Sequence, residues 1–233
     1  VVISVGNRPI WIPLSGGYDS RLLACVCKKL KIKNVSCFTY GSADSYEVKI
    51  SKQVAEKLGF PWFYVEYTKE KFLSIANSPI DEDYMYWAMN LNTTAHSQDF
   101  LAVKELRAKG IIENNAVIIP GHSGEILGRD QVPYHLLKSN KTIAELLFHR
   151  YFQWNTIRKK NVKDVMNSLG ETLNKTFCKN DHTLAVDLFT NWNIKNRQSN
   201  FIINSVRVYE YFNTDWRIPL WDDEISEFWL SLP

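Results

Sequence analysis

One short segment constrains this chain more than any other. Ile10-Trp11-Ile12-Pro13-Leu14 is a compact apolar run of strand character, and Ser15-Gly16-Gly17-Tyr18-Asp19-Ser20 follows it at once. From Arg21 to Leu30, apolar residues fall at Leu22, Leu23, Val26 and Leu30, close to helical spacing. Strand, glycine loop and helix in this order form the opening of a parallel α/β unit.

The alternation continues. Val35–Tyr40 reads as a second strand closed by Gly41, and Tyr46–Leu58 as an amphipathic helix stopped by Gly59. Trp62–Tyr67 reads as a third strand, Gln98–Lys109 as a helix ended by Gly110, and Ala116–Ile119 as a fourth strand. That last run is uniformly apolar, as a strand buried on both faces must be. The expected fold is α/β: an open, mainly parallel sheet with helices on both faces. Ligands of such sheets sit at the carboxyl ends of the strands, and Ser15–Ser20, Tyr40-Gly41 and Gly121–Glu125 all fall there. After about residue 140 the runs at 142–151, 162–177 and 184–204 read as helices with no strand between them. The expected division is therefore an α/β core over 1–140 and a helical region over 141–233.

Composition excludes several classes. At 45% hydrophobic and 23% charged residues, 233 residues suffice for a sizeable core. A net charge of +3 gives no reason to expect nucleic acid. No apolar run approaches the roughly 20 residues that span a bilayer, and no secretory signal opens the chain. Cys25, Cys27, Cys37 and Cys178 lack metal or redox spacing, so they read as reduced core thiols of a cytoplasmic protein. The chain begins at Val1 without Met and stops at Pro233 after a helix-like run, so it is expected to be part of a longer protein.

The chemistry concentrates in Ser15–Ser20. Glycines let backbone approach an anion closely and adopt positive φ. The helix behind them offers free N–H groups and the positive end of its dipole, and Ser15 and Ser20 add hydroxyl donors. Asp19 would repel phosphate on its own; a divalent cation between them resolves this. The spacing differs from a Walker loop, which ends in Gly-Lys-Ser/Thr.

The string S-G-G-x-D-S resembles the pyrophosphate loop of the N-type ATP pyrophosphatases. These include asparagine synthetase, β-lactam synthetase, GMP synthetase, NAD synthetase and tRNA-modifying enzymes. Three further segments look like the asparagine synthetase branch. Phe38-Thr39-Tyr40-Gly41, followed by Ser45-Tyr46-Glu47 and the helix ending Leu58-Gly59, resembles its adenine-contacting second strand. Gly121-His122-Ser123-Gly124-Glu125 resembles its G-E-G-x-D loop. Arg217-Ile218-Pro219-Leu220-Trp221-Asp222 resembles its R-x-P-F-L-D segment.

The resemblance implies an adenine nucleotide alpha-hydrolase-like, Rossmann-like fold, with ATP and Mg²⁺ as cofactors. It implies ATP and pyrophosphate binding by Leu14, Ser15, Gly16, Gly17, Asp19, Ser20, Tyr40 and Gly121. It implies metal binding by Asp19 and Glu125, and catalytic roles for Asp19, His122 and Arg217. The implied reaction activates a small carboxylate as an acyl-adenylate and then forms an amide, with a glutaminase domain or subunit supplying ammonia. His122 stands where that branch has Glu, and Glu125 where it has Asp. A carboxylate is kept at 125, whereas an imidazole at 122 is a general base near neutral pH or a phosphate-orienting group, and aspartate as substrate is no longer implied.

Plainer readings stand beside these. His122 also reads as a structural histidine at a strand end, and Arg217 as the ion-pair partner of Asp215 or Asp222. Arg197 is a loose candidate for a basic residue on the substrate side. His96, His135, His149 and His182 lack metal-ligand spacing, and the scattered tryptophans read as core. Two other functions share the loop: a tRNA-modifying pyrophosphatase, and a catalytically altered ATP-binding relative in surface polysaccharide biosynthesis.

Overall fold

The computed structural model describes residues 2–76, 78–124, 142–152, 159–176 and 182–231. They fall into two compact units, residues 1–127 with 198–233, and residues 128–197.

The first unit is built on a five-stranded, all-parallel sheet in the order β3-β2-β1-β4-β5. After the short helix α1 (Val2–Val5), β1 (Ile10–Pro13) runs through Ser15–Gly17 into α2 (Tyr18–Lys29). Then come β2 (Val35–Gly41), α3 (Tyr46–Leu58), β3 (Trp62–Glu66) and the helices α4 (Lys69–Ile75), α5 (Pro79–Met89) and α6 (Phe100–Ala108). β4 (Val117–Ile118) returns to the other side of β1. The chain thus reverses its direction of travel between β1 and β4, which is where sheets of this kind hold ligands.

The period of two along each strand sorts the core into two layers. Ile10, Ile12, Val35, Cys37, Val117 and Ile119 share one cluster with Leu23, Ala24 and Cys27 of α2 and Ala55 of α3. Trp11, Phe38, Val65 and Ile118 share the other with Tyr84 and Ala88 of α5 and Phe100–Val103 of α6. Helices therefore cover both faces, as expected. Burial of both faces is also why β4 carries no polar residue.

Two features differ from the expectation. Helices α4 and α5 were not read from the sequence, although their caps are visible there: Thr68 accepts from Lys71 N, and Ser78 accepts from Asp81 N with Pro79 in the first turn. A fifth strand, β5 (Asp215–Trp216), also lies in the stretch expected to be helical; it pairs with Val117 and Ile118. Two residues are too few to show a period, so only the partner strand reveals this one.

The second unit contains α7 (Ile143–Tyr151), α8 (Lys159–Thr176) and α9 (His182–Trp192). Thr142 and Glu145 close a reciprocal capping box at the start of α7. Leu146, Leu147, Leu169 and Phe189 form its core. A widened helical stretch, Asn193–Ile202, and a tight turn, Ile203–Val206, lead to α10 (Arg207–Tyr211); α11 (Asp223–Ser231) follows β5. Among the described residues no helix is long and apolar enough to cross a membrane.

Candidate functional site

The loop after β1 is anchored at its root. Leu14 is buried, its N–H donates to the Phe38 carbonyl at 2.8 Å, and its own carbonyl accepts from Thr39 Oγ1 at 2.6 Å. The two serines then fold the loop onto itself. Ser15 N–H donates to Ser20 Oγ, Gly17 N–H donates to Ser15 Oγ, and the two hydroxyl oxygens stand 3.1 Å apart. Gly17 begins α2 without a side-chain cap, so the first-turn N–H groups face the loop as an anion site requires.

The glycines act by their small size. Neither Gly16 nor Gly17 takes the left-handed conformation expected of them, and Gly17 lies at φ −70°. A Cβ on Gly16 would stand 3.2 Å from Glu47 Cα, and one on Gly17 would stand 3.2 Å from Ser15 Oγ. Close approach alone explains both. Gly41, at the end of β2, does need its freedom, at φ +127°.

The segment after β4 packs on the head of α2. A Cβ on Gly121 would lie 2.6 Å from Ser20 N, and one on Gly124 would lie 2.5 Å from Asp19 Oδ1. Between them His122 Nε2 meets Ser205 Oγ at 2.8 Å. Ser123 is buried at φ +68°, a costly conformation for serine, and its hydroxyl donates to the fully buried Gln198 at 3.2 Å. Asp19, Ser20, Gly121 and Gly124 are thus brought together, while the His122 ring is bonded to Ser205. Glu125 lies outside the described residues.

Beside the loop is a cleft of about 420 Å³, lined among others by Leu14, Ser15, Tyr40, Gly41, Glu47 and Tyr67. That volume suits a nucleoside-sized ligand. Its wall is aromatic: Tyr40 and Tyr67 stack at 5.0 Å with an interplanar angle of 16°. Behind them Asp99 is buried and accepts from the hydroxyls of Tyr40 and Tyr209. Burial, with the Asp99 charge second, pushes both phenols well above their ordinary range, so both remain donors. His96 adjoins this group; burial lowers its pKa against a smaller opposing pull from Asp99.

Tyr67, Asp99, Gln198 and Ser205 were not singled out in the sequence, and His96 was read there only as lacking metal-ligand spacing. Each lies in a stretch without a marking pattern, and the partners that define it come from other segments. Glu47 had its signal in Ser45-Tyr46-Glu47. Arg217 is not gathered to the loop: it donates to Ser4 Oγ and to the Trp216 carbonyl. Its ion-pair reading is not met either, since Asp215 pairs with Arg8 at 2.5 Å and Asp222 accepts from Glu224 N. Arg197 stands over the Tyr151 ring in the second unit.

No curated protein matches the chain in sequence. Among solved structures, the NH3-dependent NAD synthetase from Campylobacter jejuni subsp. jejuni aligns over 100% of this chain and 90% of its own. Its identity is 14% and its TM-score 0.38. A predicted subunit of tRNA methyltransferase from Methanocaldococcus jannaschii aligns over 69% of this chain and 74% of its own, at 18% identity and TM-score 0.32. The profile of the family described as asparagine synthase matches residues 4–233, so this chain belongs to the asparagine synthase family.

Proposed function

We propose that this chain uses ATP to activate a substrate carboxylate as an acyl-adenylate, and that an amine then displaces AMP to give an amide. One observation carries the reading. A folded Ser15–Ser20 loop, a nucleoside-sized cleft beside it, and the His122 segment whose Gly121 and Gly124 pack on the head of α2 lie at one sheet edge. The cleft takes adenosine, with Tyr40 and the backbone at Leu14 along its wall. Gly16, Gly17, Gly121 and the hydroxyls of Ser15 and Ser20 cradle the phosphates. A carboxylate oxygen attacks the α-phosphorus and the bond to the bridging oxygen breaks, releasing pyrophosphate. Nitrogen then attacks the activated carbonyl, His122 accepts its proton, and AMP leaves. Rate comes mainly from positioning and from donors aimed at developing phosphate charge.

Mg²⁺ fits Asp19. A single carboxylate beside a phosphate loop is a donor set that this ion accepts, completed by phosphate oxygens and water. Gly124 packs directly against the Asp19 carboxylate, where an added Cβ would lie 2.5 Å from Oδ1. Among the described residues no three acidic, histidine or cysteine side chains gather to hold a metal ion, at Asp19 or anywhere else. Asp19, and Glu125 as a second carboxylate, would hold the ion, which supplies charge neutralisation when bound. A glutaminase domain or subunit is the natural ammonia source, and a cysteine spacing that fits neither a metal nor a redox motif agrees with a cytoplasmic location.

The test is pyrophosphate and AMP production from ATP and Mg²⁺ across a panel of carboxylic acids and amines, with Asp19→Ala in parallel. Acid-dependent release that disappears in D19A is the expected result. Equal ATP binding by both proteins with Mg²⁺ present would remove the site assignment.

A further inference from the structure

The hydroxyl of Ser205 is buried and makes two bonds. It lies 2.5 Å from the Ile202 carbonyl and 2.8 Å from His122 Nε2. A carbonyl oxygen can only accept, and a serine hydroxyl has one proton. Two oxygens at 2.5 Å without a proton between them would repel, so the Ser205 proton points to Ile202. Ser205 Oγ can then only accept from the ring, and the proton on Nε2 belongs to His122.

We infer that Ser205 is a positioning residue that fixes His122 in the Nε2–H form, making Nδ1 the atom at which the ring gains and loses a proton. A second bond of this kind commonly decides which imidazole nitrogen acts. The arrangement is built in. Ile202 and Ser205 lie three residues apart, so the serine bonds its own turn. In sequence His122 lies between Gly121 and Gly124, both packed on the head of α2. His96 stands edge-on to the ring at 6.5 Å and 70°, and burial lowers its pKa from the ordinary value.

The inference rests on the proposed base role of His122 only for its catalytic meaning; the proton's place on the ring is independent of it. The whole chain with ¹⁵N-histidine is examined by NMR above the imidazole titration. The expected result is one tautomer at His122, with a ring Nε2–H proton slow enough in exchange to be seen. Ser205→Ala loses that proton signal and Ser205→Thr restores it. A wild-type His122 carrying its proton on Nδ1, or an Nε2–H signal indifferent to S205A, would overturn the inference. The wild-type spectrum decides even where S205A does not fold. In turnover, S205A lowers kcat by about tenfold at unchanged KM for ATP, less than the roughly hundredfold or more that a positioned base contributes. An NMR result as expected, together with unchanged kcat in both S205A and H122N, would leave the tautomer standing and remove His122 from the chemistry.

Discussion

Gly124 and Asp19 touch without a side chain between them, so that a methyl group on Gly124 would stand 2.5 and 2.7 Å from the two carboxylate oxygens. Gly121 meets backbone instead, because its added methyl would stand 2.6 Å from the backbone N of Ser20. A carboxylate can rotate away; a helix start cannot. Gly124→Ala is expected to weaken ATP·Mg²⁺ binding with a modest stability loss, about 1 kcal/mol. Gly121→Ala is expected to cost about 1–3 kcal/mol, as overpacking does, and to abolish binding. Urea unfolding and nucleotide titration on both variants check the order.

The Tyr40 hydroxyl gives a second prediction. Asp99 is a buried carboxylate that accepts from Tyr40 and Tyr209. Tyr40→Phe keeps the ring stacked on Tyr67 but leaves one carboxylate oxygen without that donor. The expected loss is about 1–3 kcal/mol in urea, with nucleotide affinity falling less than in a Tyr40→Ala variant, which also removes the cleft wall. Equal affinity in the two variants would show that the ring does not contact the nucleotide.

Local patterns carried most of the sheet into view, because β1, β2 and β3 are runs of apolar residues bounded by glycine or polar turns. The loop Ser15–Ser20 was legible for the same reason, its donors being consecutive. What was hidden depends on long-range pairing. β5 is two residues, defined only by Val117 and Ile118. Ser205 meets His122 across 83 positions of sequence, and Tyr209 meets Asp99 across 110. Neither pair shares a period, a spacing or a composition that marks it. Arg217 shows the reverse case. Its segment resembles a family motif, yet its guanidinium is taken up by Ser4 and Trp216.

His96 makes stability depend on pH. Burial lowers its pKa in the folded chain from the ordinary 6.5. Below pH 6.5 the unfolded chain therefore binds a proton that the folded one resists, so acidification favours unfolding. The contribution is complete above 6.5 and is lost as pH falls from there through the folded value. Denaturant midpoints at pH 7.5 and 5.5 should fall further for the wild type than for His96→Asn. Parallel curves for both proteins would place the acid sensitivity elsewhere.

The cysteines of α2 offer the last test, and it requires no ligand. Cys25 is exposed, contrary to the core thiol expected from sequence, whereas Cys27 and Cys37 are buried. Burial raises the Cys27 thiol, and burial together with Cys27 pushes Cys37 up to about 12. Only thiolate reacts with iodoacetamide, and a buried thiol is also out of reach. Cys25 and Cys27 share the tryptic peptide Leu22–Lys28. At pH 8 the native protein should place one label on that peptide, at Cys25, and none on Cys37. In denaturant the same peptide should take two and Cys37 one. Cys25 also lines a shallow groove with Tyr18, Asp19 and Arg21, so slower labelling with ATP·Mg²⁺ present is expected if the first turn of α2 is the phosphate site. Two labels on the native peptide would contradict the packing of α2 on the sheet.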